Sequence, residues 1–275
     1  MSSMLKRILI AIGILAVVGI ILWLNGWFFA VGILLISLMA EYEMVRAVSK
    51  KGAPAPLTLN LCAVAGLFAA FYFLSFKGAF LTAVIYLTIC FALAVFSKKY
   101  TVESVIKGVF SFVYPGLLFM FFYALTLKGN AEGLVDENTN RLVVLLTVVI
   151  PIMTDTMAYF IGSKFGRHKL CPQISPKKSV EGAIGGVLGG VLGAAAMYFI
   201  LGADLSLWAY IAFAAVVSVL SQIGDLSASL VKRKFEIKDY SRVLGEHGGI
   251  MDRLDSILFI MPYSYVFFFM LCGFN

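Results

Sequence analysis

Apolar positions in this chain fall into long unbroken runs, not into the alternating or helical-face patterns of a water-soluble fold. Nine such runs stand out: Ile8–Leu24, Trp27–Met39, Leu57–Leu74, Ala79–Phe96, Gly108–Leu127, Leu142–Gly162, Gly182–Leu201, Leu205–Leu226 and Ile257–Leu271. A helix needs about 20 apolar residues to cross a hydrocarbon core of about 30 Å. Backbone groups in lipid must be satisfied within their own segment, so each run predicts a helix. The expected fold class is therefore all-α, a polytopic transmembrane protein with about nine spans. Residues 1–275 are expected to form a single integral membrane domain, with helices in 1–127 as scaffold and 142–271 as the half that carries the chemistry. The second run is short and is separated from the first only by Asn25 and Gly26, so the two could also fuse into one tilted helix.

Composition agrees with the pattern. Hydrophobic residues make up 61% of the chain and charged residues 13%, about half the charged share of a soluble domain. The basic residues decide the topology. With nine spans and a cytoplasmic N-terminus, 19 of the 22 Lys and Arg fall in inside segments, and only Lys77, Lys128 and Arg141 fall outside. That is the bias of the positive-inside rule, and it places the C-terminus outside. Fusing the first two helices would move Lys6 and Arg7 outside, so the split is favoured. The Lys6-Arg7 opening resembles a signal peptide, but a second apolar run follows it in place of a cleavage site, which predicts a retained anchor. The cysteines Cys62, Cys90, Cys171 and Cys272 show neither metal spacing nor a disulfide framework.

The net charge of +7 is explained by topology in the N-terminal loops. The last two inside loops differ, because they hold 11 of the 19 inside cations and mix them with Gly, His and Asp. These loops lie against an anionic membrane face, which argues against nucleic acid as partner. Clustered cations there suit a ligand with several phosphates.

Asp225 lies at the end of the eighth run. If that helix continues, Asp225, Ser229, Lys232 and Arg233 fall at i, i+4, i+7 and i+8 along one face. A carboxylate at a helix C-terminus opposes the macrodipole and calls for a partner such as a metal or a lysine. Further on come Lys238-Asp239, then Gly245-Glu246-His247-Gly248-Gly249, then Asp252-Arg253-Leu254-Asp255. Asp252 and Asp255 are neighbours on one helix face, which is also where ordinary capping would place acids. Gly248 and Gly249 would let backbone N–H groups approach an anion. His247 by itself is as readily a solvated loop residue as a participant. Asp155 sits about two turns inside the sixth run, where an ionisable group is expected to face a cavity or a partner. Lys177 and Lys178 precede a Gly-rich helix start that could hold phosphates. This is not a Walker A loop. Gly185, Gly189 and Gly193 recur every four residues as a helix-packing face, which is also a candidate contact for a homodimer.

The stretch Ser229-x-Val231-Lys232-Arg233-x4-Lys238-Asp239-x-Ser241-x2-Leu244-Gly245-x-His247-Gly248-Gly249-Ile250-x-Asp252-Arg253-Leu254-Asp255 resembles the signature of the phosphatidate cytidylyltransferases, or CDP-diacylglycerol synthases. Ser175-Pro176-Lys177-Lys178 resembles a second motif of that family, with Ser179 and Val180 replacing Thr and Trp. Ala228 stands where many members have Glu, so no carboxylate is required at 228. The resemblance covers the C-terminal half; the N-terminal half matches in hydropathy only. It implies transfer of CMP from CTP to phosphatidic acid, with Mg²⁺ or Mn²⁺, in the cell inner membrane with the active site facing the cytoplasm. On that basis Asp225 and Asp252 are expected as metal ligands, with Asp155 and Asp255 as outer candidates. Lys232, Arg233, Lys238 and Arg253 are expected to bind phosphates, and Lys177 and Lys178 the triphosphate tail. His247 would orient phosphate or water, and Ser229, Asp239, Gly248 and Gly249 would line the substrate. A CTP-dependent lipid or polyprenol kinase, with Asp239 as base, is the rival enzyme. A transporter fits less well, because the polar residues gather at one face instead of the midplane.

Overall fold

A computed structural model describes residues 27–126, 137–201, 206–243, 245 and 248–268. The expected first span Ile8–Leu24, the terminal residues Lys6, Arg7 and Asn275, and His247 lie outside the described residues. The described chain is a polytopic helical membrane protein. Five of its helices are long and apolar enough to cross a bilayer: Leu57–Phe96, Val102–Leu125, Val143–Phe165, Val180–Ile200 and Leu207–Lys234. They turn large apolar side chains outward, among them Phe80, Phe96, Phe199 and Trp208, which a lipid-facing surface accepts and a water-facing one does not.

The residues form two compact units. The first comprises the described chain up to residue 126 together with Asp239–Arg253. Helix α1 (Trp27–Val48) runs nine residues past the apolar stretch that predicted it. Glu41 and Glu43 in this extension are buried and hydrogen-bonded. Helix α2 (Leu57–Phe96) is interrupted at Ser75, whose φ of 53° leaves the helical region. A straight helix of this length would reach roughly 60 Å, twice a hydrocarbon core. Instead the two arms fold back on one another: Tyr86 donates to the Asn60 side chain at 2.9 Å, and a Cβ on Gly66 would touch Thr82. The expected spans Leu57–Leu74 and Ala79–Phe96 are these two arms.

Helix α3 (Val102–Ser111) starts from a capping box of Thr101 and Ser104. It passes through a π-helical stretch (Phe112–Leu117) into α4 (Leu118–Thr126). Lys107 donates to the carbonyls of Lys51 and Ala53 and pairs with Glu103 at 2.7 Å, so the loop after α1 is tied to α3. Asn60 joins three elements, donating to Glu41 at 2.6 Å and to the Gly108 carbonyl at 2.9 Å while accepting from Tyr86. Shared hydrogen bonds of this kind lower the cost of polar groups within an apolar core.

The second unit comprises the described parts of Glu132–Lys238 and Leu254–Asn275. It contains α5 (Glu137–Phe165), α6 (Val180–Leu201), α7 (Leu207–Lys234) and most of α8 (Met251–Val266). Between α5 and α6 the chain makes a small antiparallel hairpin, β1 (Lys169–Cys171) with β2 (Ser175–Ser179). Apart from this short hairpin the described elements are helical, in keeping with the expected all-α class. The hairpin is anchored to α6 by Glu181, whose carboxylate accepts from the Arg167 N–H at 3.1 Å and contacts His168 Nδ1 at 2.6 Å.

Helices α5 and α6 pack through glycine. A Cβ on Gly182 would lie 2.8 Å from the Ala158 carbonyl oxygen and 3.0 Å from the Gly162 Cα. Gly185, Gly189 and Gly193 meet Ile161, Met157 and Met153 of α5. The glycine face is thus a packing face, as expected, but α5 of the same chain fills it.

Candidate functional site

In the second unit several polar side chains line a cavity of about 390 Å³. Helix α5 contributes Asp155, Tyr159 and Ser163, β2 contributes Lys177 and Lys178, and α7 contributes Gln222 and Asp225. Each arrives by simple local rules. Asp155, Tyr159 and Ser163 are four residues apart and share one face of α5. Gln222 and Asp225 are three apart on α7, and Gln222 is fixed by donating to the Ala183 carbonyl at 3.2 Å. The hairpin delivers the lysines, and Arg233 near the end of α7 donates to the Ile174 carbonyl at 3.3 Å, which fastens the hairpin's turn.

Lys178 forms an ion pair with Asp225. The partner that a carboxylate at this point of the helix calls for is therefore a lysine from β2. Helix α7 continues two turns beyond Asp225 to Lys234, so Asp225, Ser229, Lys232 and Arg233 do follow one another along helical turns. The charge of Asp225 acts on both Asp155 and Asp255, opposed by Lys178 at Asp155 and by Lys232 at Asp255. Ser256 hydrogen-bonds Asp155, and its N–H donates to the Asp255 carboxylate at 2.8 Å. Where Gly224 of α7 meets α8, a Cβ would lie 2.8 Å from the Asp255 carbonyl oxygen. Only a glycine there lets the two helices approach closely enough to bring the two acids within electrostatic reach.

The donor set can be compared with a magnesium-type ion. Among the described residues no three His, Cys, Asp or Glu side chains converge on one point. Magnesium does not require that; it keeps waters and is commonly held by one or two carboxylates plus substrate phosphates. Asp155, Asp225 and Asp255 supply hard oxygen donors, and Lys178 and Lys232 together offset only part of their charge. The residues fit such an ion.

The first unit holds the other expected residues: Asp239, Gly248, Gly249, Asp252 and Arg253. Asp252 shapes its own loop, since one carboxylate oxygen accepts from the N–H of Tyr240 at 2.8 Å and of Gly249 at 3.0 Å. Glu43 of α1 reaches the same loop, accepting from Ser241 Oγ at 2.5 Å and from the N–H groups of Ile250 and Met251 at 3.0 and 2.9 Å. The N–H groups expected to meet a substrate anion beside Gly248 and Gly249 are thus used within the protein. Gly248 has φ +80°, and a Cβ on Gly249 would lie 2.5 Å from the Glu43 carboxylate. Those two facts are the local reason for a Gly-Gly pair.

Sequence reasoning missed Tyr159, Ser163 and Gln222, whose helical spacing from Asp155 and Asp225 was signal enough. It also missed Glu43, for which no local signal exists. Against known proteins, the pattern described as "Cytidylyltransferase family" matches residues 5–271. The chain is 34% identical over 189 residues, 65% of its own length and 68% of the other's, to a protein of Staphylococcus aureus (strain COL) named "Phosphatidate cytidylyltransferase". It is 34% identical over 174 residues, 60% of its length and 62% of the other's, to proteins of the same name from Staphylococcus haemolyticus and Staphylococcus epidermidis. With the match running over nearly all of its length, the chain belongs to the cytidylyltransferase family.

Proposed function

We propose that the chain transfers CMP from CTP to phosphatidic acid, giving CDP-diacylglycerol and pyrophosphate. A phosphate oxygen of phosphatidate attacks the α-phosphorus of CTP, and the bond from that phosphorus to the oxygen bridging to the β-phosphate breaks. Phosphatidate is already anionic at neutral pH, so the nucleophile needs no strong base. The barrier lies in bringing anions together and in the charge that builds on the leaving pyrophosphate. The observation that supports this reading is the cavity of α5, α6, α7 and β2, where Lys177 and Lys178 stand beside Asp155 and Asp225. A divalent ion, when bound, neutralises phosphate charge and polarises the reacting phosphorus. Asp225 would hold it, with Asp155 and Asp255 behind. Lys177 and Lys178 bind phosphate oxygens. Lys232, Arg233, Lys238 and Arg253 add positive charge for the triphosphate and the lipid headgroup.

Label partition tests the chemistry. With purified protein, phosphatidate and CTP, α-³²P enters the lipid and γ-³²P leaves as pyrophosphate. Appearance of γ-label on the lipid would instead assign a kinase.

The topology that accompanies this proposal has nine spans, a cytoplasmic N-terminus, an outside C-terminus and the cavity facing the cytoplasm across the inner membrane. It rests on the distribution of Lys and Arg. In a background with the four native cysteines replaced, Lys99→Cys and Lys234→Cys are both exposed side chains. Both are expected to resist a membrane-impermeant thiol reagent in intact cells and to react after lysis. Labelling of Lys234→Cys from outside would reverse the orientation.

A further inference from the structure

We infer that Glu43 is a positioning residue for cytidylyl transfer, the internal post that holds together the two described ends of the signature loop, 240–243 and 248–252. The inference rests on the reading above and adds to it a residue of α1, far in sequence from the signature stretch.

Glu41 and Glu43 are two apart on α1, and they serve different partners. Glu41 accepts from Asn60. Glu43 is 1% exposed, and its carboxylate takes three donors, all from the loop: Ser241 Oγ, the Ile250 N–H and the Met251 N–H. The last two are orphan N–H groups at the start of α8, which no intrahelical carbonyl can satisfy. A carboxylate placed there meets both the free donors and the positive end of the helix. Glu43 therefore caps α8 from another helix, across 208 residues of sequence. It also clamps the loop at both ends, because Ser241 and Met251 bracket the segment. Asp252 closes the same segment from within through Tyr240 and Gly249. Gly249 is confined between the two carboxylates, close enough to Glu43 that no side chain fits without displacing it. The residues proposed to act on phosphate from this loop, Arg253 above all, adjoin the clamped segment.

Removing the carboxylate leaves buried N–H groups without an acceptor, which loosens the loop while the apolar core of the unit is untouched. Three variants of the full-length protein, Glu43→Ala, Glu43→Gln and Ser241→Ala, separate positioning from general destabilisation. The expected KM for CTP rises by about a hundredfold in Glu43→Ala, about tenfold in Glu43→Gln, and least in Ser241→Ala, with kcat changing by no more than about threefold. A merely destabilised protein would lose active molecules, so apparent kcat would fall at unchanged KM. Hydrogen exchange supplies a readout independent of activity. The amides of Ile250 and Met251 should exchange at least about tenfold faster in Glu43→Ala, while amides within α6 keep their protection. Unchanged exchange at Ile250 and Met251, or a fall in kcat alone, overturns the inference. If the wild-type protein makes no CDP-diacylglycerol, the reading under which Glu43 serves this reaction fails with it, and the exchange data still decide whether Glu43 holds the loop.

Discussion

Asp225→Asn is expected to lower the rate of CMP transfer about a thousandfold while the protein folds normally. Asparagine matches aspartate in shape and still offers an oxygen to Lys178. What it lacks is the charge. In the wild-type protein the charge of Asp225 acts on both Asp155 and Asp255, and Asp225 is the carboxylate proposed to face the divalent ion. Loss of a single pre-organised electrostatic group in an active site typically costs 10²–10³ in rate, on the order of 3–4 kcal/mol. Lys178 is then left beside a neutral partner and holds the phosphates in a different balance. The check is initial rates at equal amounts of monodisperse protein, with Mg²⁺ raised in steps; a small recovery at high Mg²⁺ is expected. Turnover like that of the wild type would remove Asp225 from the reaction.

Gly182→Leu should be more damaging still, because it acts on both the fold and the cavity. The added Cβ would meet backbone, the Ala158 carbonyl oxygen and the Gly162 Cα, so no rotamer change can relieve the contact. Overpacking of this kind costs about 3 kcal/mol. Forcing α5 away from α6 also separates Asp155 from the hairpin that carries Lys178. The expected result is poor accumulation in the membrane, a lowered melting temperature and no measurable transfer by what remains. Leu188→Ala on the exposed side of α6 is the matched control and should behave like the wild type.

The hydrophobic pattern was informative where lipid imposes it. The arms 57–74 and 79–96 were found because Ser75-Phe76-Lys77-Gly78 interrupts an otherwise apolar run, and the chain reverses there. The run ending at Leu226 located α7 but not its length, because Ser227–Lys234 owes its helix to continuity and to partners such as Ile174, not to lipid. Similarly, α1 was cut short at Met39. Two glutamates look like the end of a span until Asn60 and Ser241 are seen to receive them. The strands at 169–179 had no pattern of their own, as β1 has three residues and β2 five, and their polarity reads as loop. In the site, Lys178 and Asp225 were both named but not as partners. Their pairing depends on α5, α6 and α7 packing at the distance that glycine allows. Glu43 shows the limit most plainly, since its chemistry consists entirely of groups about 200 residues away.

That separation has a meaning for synthesis. Ser241 follows Glu43 by 198 residues, so at 5–20 residues per second the ribosome takes roughly 10–40 s to deliver the first partner of this carboxylate. During that interval α1 is already made, and its acid has none of the three donors that will hold it. The signature loop is among the last segments to emerge, and it can be shaped only by a residue made near the beginning. Catalytic competence is therefore tied to completion of the chain: a nascent protein stalled before residue 241 would hold the cavity lysines and Asp225, yet lack the element that Glu43 waits to receive.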